Sequence, residues 1–183
     1  MQIRLAADLQ PDSIVDGNGI RTVIWTQGCP HNCFGCHNKT THDFNGGALI
    51  DIEDIKEEID NLLFQDGITF SGGDPMCQSE ACLELAKYAK NKGLNIWCYT
   101  GYTFEQLLEI GKKKKSIIEF LNYIDVLVDG KFMLEQKSLD CLYRGSTNQR
   151  LIDVKMSLIN NKVCLWNKKE EIISVKKSKY LYV

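Results

Sequence analysis

The sequence predicts an α/β fold built around a parallel sheet, on three observations. Short runs rich in β-branched and aromatic residues alternate with segments whose apolar residues recur at helical spacing. The loops of least ordinary composition all follow the strand-like runs, where parallel α/β folds collect their chemistry. The chain has 183 residues, short of the ~250 of a typical eight-unit (β/α) barrel, so it has room for only a truncated, partial (β/α) barrel.

The elements follow in order. "RTVIWTQ" (21–27) is the first strand and ends directly in a cysteine-bearing loop. In "DIEDIKEEIDNLLF" (51–64), Ile52, Ile55, Ile59, Leu62 and Leu63 share a helical face, with acidic residues and Lys56 between them. "GITFSGG" (67–73) is a short apolar strand stopped by two glycines. "SEACLELAKYAKNKG" (79–93) reads as a helix that buries Cys82, Leu85, Ala86 and Ala89 and stops at Gly93. "LNIWCYTG" (94–101) is the next strand. Thr103 and Gln106 have the spacing of a capping box and open a helix through Leu107, Leu108 and Ile110. Gly111 or the lysines at 112–115 interrupt it before a second helical piece around Ile117, Ile118 and Leu121. "DVLVDG" (125–130) is a fourth buried strand. "RLIDV", "VCLW", "EIISV" and "KYLYV" are strand-like runs whose order the sequence does not set.

Composition narrows the function classes. Hydrophobic residues make up 44% of the chain and the formal net charge is −2, so no global basic field recruits nucleic acid. The lysine-rich patches read as solvated faces or a tail. No apolar run approaches the length of a membrane span, and the N-terminus lacks the apolar core of a signal peptide. The expected setting is therefore cytoplasmic. Eight cysteines in such a setting point away from disulfides, towards metal, redox or catalytic use for the clustered ones and burial for others.

The cluster is "GCPHNCFGCHNKTTH" (28–42). Cys29, Cys33 and Cys36 read C-x3-C-x2-C, with His31, His37 and His42 interleaved. Structural zinc wants four ligands, commonly from two short cysteine pairs; no second pair follows here, though a histidine could complete a Cys3His site. A [4Fe–4S] cluster is normally held by four cysteinates, so three leave one iron open to an exogenous ligand. Ligand softness and the missing second pair favour iron–sulfur, with zinc still open.

C-x3-C-x2-C at the end of a first strand, followed by a double-glycine acidic loop, resembles the radical S-adenosylmethionine (SAM) superfamily. With "PDSIVDGNGIRTVIWTQGCPHNCFGCHN", "TFSGGDP", "YTGYTFE", "DVLVDGKF" and "RGSTNQRLIDV", the chain is similar from about Pro11 to Val154 to the activating enzymes of anaerobic (class III) ribonucleoside-triphosphate reductases. That resemblance implies one radical SAM domain over 1–183, with a core of about 11–154 and a C-terminal extension over 155–183. Cys29, Cys33 and Cys36 would ligate three irons of a [4Fe–4S] cluster, leaving the fourth for SAM. One-electron cleavage of SAM would give a 5′-deoxyadenosyl radical, which takes a hydrogen atom from a glycine of the reductase large subunit. The absence of a Ser/His/Asp or paired-carboxylate constellation agrees with this, because hydrogen-atom abstraction needs no general base.

The resemblance carries further residues. Gly72 and Gly73 would let backbone approach the methionine end of SAM, and Asp74 would bind its amino group or orient the loop. Thr100 and Gly101 would contact SAM further along, with Asp129 and Lys131 on the same rim. The position before the third cysteine, often aromatic in the superfamily, is Gly35 here, with Phe34 one residue earlier; an adenine-stacking role for Phe34 does not follow. His31 and His37 would not be ligands. Cys82, Cys98 and Cys164 read as core residues, whereas Cys77 and Cys141 are ambiguous. The run from Arg144 to Arg150 is either a structural turn or a contact to SAM or the partner. Implied partners are the reductase glycine loop and a low-potential flavodoxin or ferredoxin, with a homodimer or heterotetramer as the assembly. The rival readings are another short radical SAM enzyme acting on a small molecule, such as a deazapurine precursor, and a zinc-bearing binding module.

Overall fold

The computed structural model describes residues 1–167. Its centre is a mixed sheet of eight strands: β1 (Gln2–Leu5), β2 (Gln10–Ser13), β3 (Arg21–Thr26), β4 (Ala48–Asp51), β5 (Gly67–Gly72), β6 (Asn95–Tyr99), β7 (Val126–Asp129) and β8 (Arg150–Asp153). The spatial order is β4-β1-β3-β5-β6-β7-β8, with β2 pairing beside β3. The predicted parallel sheet is its middle: β3, β5, β6 and β7 run parallel, in register through Val23, Thr69, Trp97 and Val126. These strands are near-continuous apolar runs because both faces are covered. The outer strands are antiparallel to their neighbours. "RTVIWTQ" is therefore the third strand and not the first, and "RLIDV" closes one edge in reverse sense. "VCLW" makes only a single bridge, Leu165 to Ile152. "EIISV" and "KYLYV" lie outside the described residues.

Among the described residues there are five α-helices, the first four between strands and the last after β8: α1 (Ile52–Asp60), α2 (Ser79–Asn91), α3 (Phe104–Gly111), α4 (Lys115–Leu121) and α5 (Val154–Asn160). The Asp51 side chain caps α1 by accepting from the Glu53 N–H. The Thr103–Gln106 capping box is present in full, and Gly93, at φ +80°, follows the end of α2. The first helix is shorter than its periodicity suggests. It ends at Asp60, so Leu62 only packs on the margin of the core and Leu63 is exposed.

Side chains alternate across the sheet. One face presents Ile24, Ile68, Phe70, Ile96, Cys98 and Leu127 to the helices, forming the main core. Burial of the large side chains there, at roughly 1.5–3 kcal/mol each, dominates the fold's stabilisation. The other face carries Trp97, Val126 and Val128, packed by Tyr143, Leu151 and Trp166, together with a fully buried Arg21. Its guanidinium donates to Thr69 Oγ1 at 2.6 Å and to the Ile68 carbonyl at 2.7 Å, and it lies over the Trp97 ring at 5.4 Å. Cys82 and Cys98 are core residues as expected, but Cys164 is only partly covered.

Candidate functional site

The carboxyl ends of β3, β5 and β6 meet the loop after β7 around a cavity of about 350 Å³. The cysteine loop leaves β3 and is pinned at its neck: the Gly28 N–H donates to the Thr41 carbonyl at 2.8 Å and the Cys29 N–H to that of His42 at 3.1 Å. The loop after β5 is laid against it, with Gly73 N–H donating to the Thr26 carbonyl at 2.7 Å and Asp74 N–H to that of Gly28 at 2.8 Å. Close contact explains the glycines. A Cβ on Gly72 would stand 2.5 Å from the Thr26 carbonyl oxygen, one on Gly73 2.4 Å from that of Gly28, and one on Gly101 2.3 Å from the His31 ring. The missing side chain of Gly72 makes room for the end of β3, and those of Gly73 and Gly101 make room for the cysteine loop.

Cys29, Cys33 and Cys36 line one wall of the cavity, and Gly72, Gly73, Thr100 and Gly101 line another. The three thiols are free and partly covered. Burial pushes the Cys29 thiol up, and nearby Asp74, Cys33 and Cys36 add to the effect. Burial does the same to Cys33, with Cys36 adding and Lys131 opposing. Among the described residues no three His, Cys, Asp or Glu side chains are grouped to hold a single metal ion. Three soft thiols lining one hollow suit an iron–sulfur cluster. The donor set fits a [4Fe–4S] cluster.

Asp74 lies behind the glycines, fully buried, and is absent from the cavity wall. Its carboxylate accepts from Thr100 Oγ1 at 2.9 Å, the Gly101 N–H at 3.0 Å, the Met76 N–H at 3.0 Å and His31 Nε2 at 2.7 Å. It thereby ties the cysteine loop, its own loop and the end of β6 into one unit. His31, expected not to be a ligand, is the buried strut of that unit and packs edge-on against Tyr102 at 4.4 Å. Only the residue-type spacing P-H-x-C could have hinted at it. Of the other two histidines, His42 places Nε2 3.4 Å from Cys36 Sγ, and His37 packs on Phe132. Phe34 points outwards, largely exposed.

Asp129 and Lys131 are not brought to this wall. Asp129 is buried and accepts from Arg150 Nε at 2.9 Å and the Phe104 N–H at 2.8 Å; Arg150 also grips Glu105 at 2.7 Å. Arg150 holds the Glu105 carboxyl down at about 2. Lys131 is exposed, and its carbonyl accepts from Asn148 Nδ2. The run from Arg144 to Arg150 is a turn folded onto the loop after β7: Gln149 accepts from the Gly145 N–H at 2.9 Å and donates to the Gly130 carbonyl at 3.0 Å. Gly145 and Gln149 also line the cavity, so the turn is part of the site.

The family described as a 4Fe-4S single cluster domain matches residues 15–152. The anaerobic ribonucleoside-triphosphate reductase-activating protein of Haemophilus influenzae is 35% identical over 150 residues, covering 76% of this chain and 91% of the relative. The protein of the same name from Enterobacteria phage T4 is 35% identical over 151 residues (78% and 90%), and that of Vibrio cholerae 37% over 147 (76% and 91%). Among solved structures, QueE from Escherichia coli aligns with a TM-score of 0.48 at 18% identity, over 56% of this chain and 54% of that one. On the strength of the sequence relatives, the chain belongs to the family of anaerobic ribonucleoside-triphosphate reductase-activating proteins.

Proposed function

We propose that this protein is the radical SAM enzyme that installs a glycyl radical on the large subunit of an anaerobic ribonucleotide reductase. The observation that carries the reading is the shared cavity: three free thiols on one wall, and backbone from glycine-bearing strand ends on the other. Cys29, Cys33 and Cys36 would hold the [4Fe–4S] cluster. Held there, the cluster would supply the one-electron reduction needed for cleavage of SAM.

The chain's own residues bind and orient. Gly72, Gly73, Thr100 and Gly101 offer a wall without bulky side chains, against which SAM would lie. Asp74 acts from behind that wall, holding Thr100 and Gly101 in place through its hydrogen bonds. Asp129 stays with Arg150, and Lys131 lies outside the wall, so neither is assigned a contact to SAM. We read the four parallel strands and their helices as a partial barrel of the radical SAM type, forming one domain, in a cytoplasmic enzyme reduced by a flavodoxin or ferredoxin.

The test is anaerobic mixing with SAM, a low-potential reductant and the reductase, followed by electron paramagnetic resonance. A glycyl radical signal is expected, together with 5′-deoxyadenosine. Replacing Cys29, Cys33 or Cys36 by alanine should abolish both; 5′-deoxyadenosine from any of the three variants would sink the ligand assignment.

A further inference from the structure

A second hollow, of about 500 Å³, adjoins the cavity. Two loops form its walls: residues 14–16 between β2 and β3, and residues 137–145 between β7 and β8. Asp16, His37, Tyr99 and Gly145 line both hollows and so form the neck between them. Outside the neck the walls mix polar residues, Lys137, Ser138 and Arg144 among them, with four exposed apolar side chains: Ile14 is 70% exposed, Val15 69%, Leu142 52% and Leu139 94%. Single exposed apolar residues are ordinary, but four flanking one hollow that opens onto a reactive centre mark a contact surface.

A polar feature indicates what is contacted. Arg144 lines the same hollow; its Nη1 donates to the Gln149 carbonyl at 2.8 Å, while its Nε is buried with no hydrogen-bond partner among the described residues. A buried donor without an acceptor costs free energy, roughly 1–3 kcal/mol, until an acceptor arrives. Walls with exposed apolar side chains and a waiting N–H donor suit an extended polypeptide, which brings side chains to the walls and a carbonyl to the donor. The neck adds a size rule. The rings of His37 and Tyr99 flank it, so a chain reaching the cavity must be thin there. Glycine, without a Cβ, presents its Cα hydrogens with least obstruction.

Building on the function proposed above, we infer that the hollow between the Ile14–Val15 turn and the loop at 137–145 seats an extended segment of the reductase. Apolar side chains on either side of its glycine rest on Ile14, Val15, Leu139 and Leu142, a backbone carbonyl accepts from Arg144 Nε, and the glycine stands at the neck.

Two double variants on opposite walls, Ile14→Glu with Val15→Glu and Leu139→Asp with Leu142→Asp, test this in the cluster-loaded enzyme. Three quantities are measured: affinity for the intact reductase large subunit, the glycyl radical signal, and 5′-deoxyadenosine formed with reductant alone. The expected result is binding weakened about tenfold or more, with a matching drop in radical yield at sub-saturating reductase. Reductant-driven cleavage of SAM should stay at the wild-type level, which also reports an intact fold and cluster. Wild-type affinity and radical yield in both variants would overturn the docking assignment alone. Loss of self-association without loss of reductase binding would also overturn it, by making the patch a contact between two copies of this chain. Failure of the wild-type enzyme to cleave SAM at all would overturn the reading beneath it.

Discussion

Two aspartates stand near the carboxyl end of the parallel sheet, and they are held in opposite ways. Asp74, just past β5, collects two backbone N–H groups, a threonine hydroxyl and an imidazole from three different loops. Asp129, at the end of β7, is held mainly by one guanidinium, which Glu105 shares from the surface. The first arrangement faces the cavity from behind and is sealed from water; the second closes the edge where β8 pairs with β7 in reverse. Many short bonds from several loops to one carboxylate fix the relative position of those loops. An ion pair with a partly exposed arginine fastens two elements while tolerating movement and salt. The difference teaches that similar placement on a strand-end rim does not imply a similar task, because the partners decide it.

The comparison can be broken by experiment. Asp74→Ala removes the acceptor for four donors in a buried site, so a loss of roughly 3 kcal/mol or more in chemical denaturation is expected. SAM cleavage should fall with it, and Asp74→Asn should recover part of both. Asp129→Ala leaves Arg150 with Glu105 and access to water, so about 2 kcal/mol is expected. The cluster absorbance and SAM cleavage should persist; a variant without the cluster would mean the two aspartates do the same work after all.

Two smaller effects sharpen the contrast. His31→Ala cuts one bond of the Asp74 unit and leaves a small void, costing about 1–2 kcal/mol. Because His31 lies between Cys29 and Cys33, the cluster's paramagnetic spectrum should broaden or shift while iron content holds. An unchanged spectrum would reduce His31 to packing. Glu105→Gln probes the other unit through pH. The folded state holds the Glu105 carboxyl at about 2, below its ordinary 4.5. Its contribution is therefore fully present above about pH 4.5 and fades as pH falls towards 2. The difference in melting temperature between wild type and Glu105→Gln should be small, under about 1 kcal/mol in equivalent stability at an exposed pair, and should close over that same range. A gap that widened in acid would contradict the pairing.

Much of the scaffold was legible because its signals are local. The runs at β3, β5, β6 and β7 are apolar throughout, and the Thr103–Gln106 box lies within one turn of helix. β1, β2 and β4 escaped the sequence reading because they are four residues each and largely polar or exposed on one side; β2 even contains Pro11 and Asp12. Leu63 misled because helical spacing continues past the point where α1 stops. In the site, the spacing of the cysteines marked them as a candidate metal-binding loop, and the family resemblance supplied the kind of cluster. The partners of the aspartates could not be read, since His31 lies 43 residues from Asp74 and Arg150 lies 21 from Asp129. Pairings across such distances are settled by strand order, which no short stretch of sequence contains. For the same reason Asp129 looked like a ligand contact until Arg150 was placed beside it.

The crowding of Gly72 against the end of β3, and of Gly73 and Gly101 against the cysteine loop, bears on how such a protein can diverge. Each of these residues is held to glycine by a neighbouring stretch of the same chain, at 2.3–2.5 Å from where a Cβ would stand. Drift at the three codons is constrained by the protein's own anatomy, whatever molecule occupies the cavity. A descendant that acquired a different substrate would inherit the same three glycines. Only a change in the path of the cysteine loop would release Gly73 and Gly101, and only a shift of β3 against β5 would release Gly72.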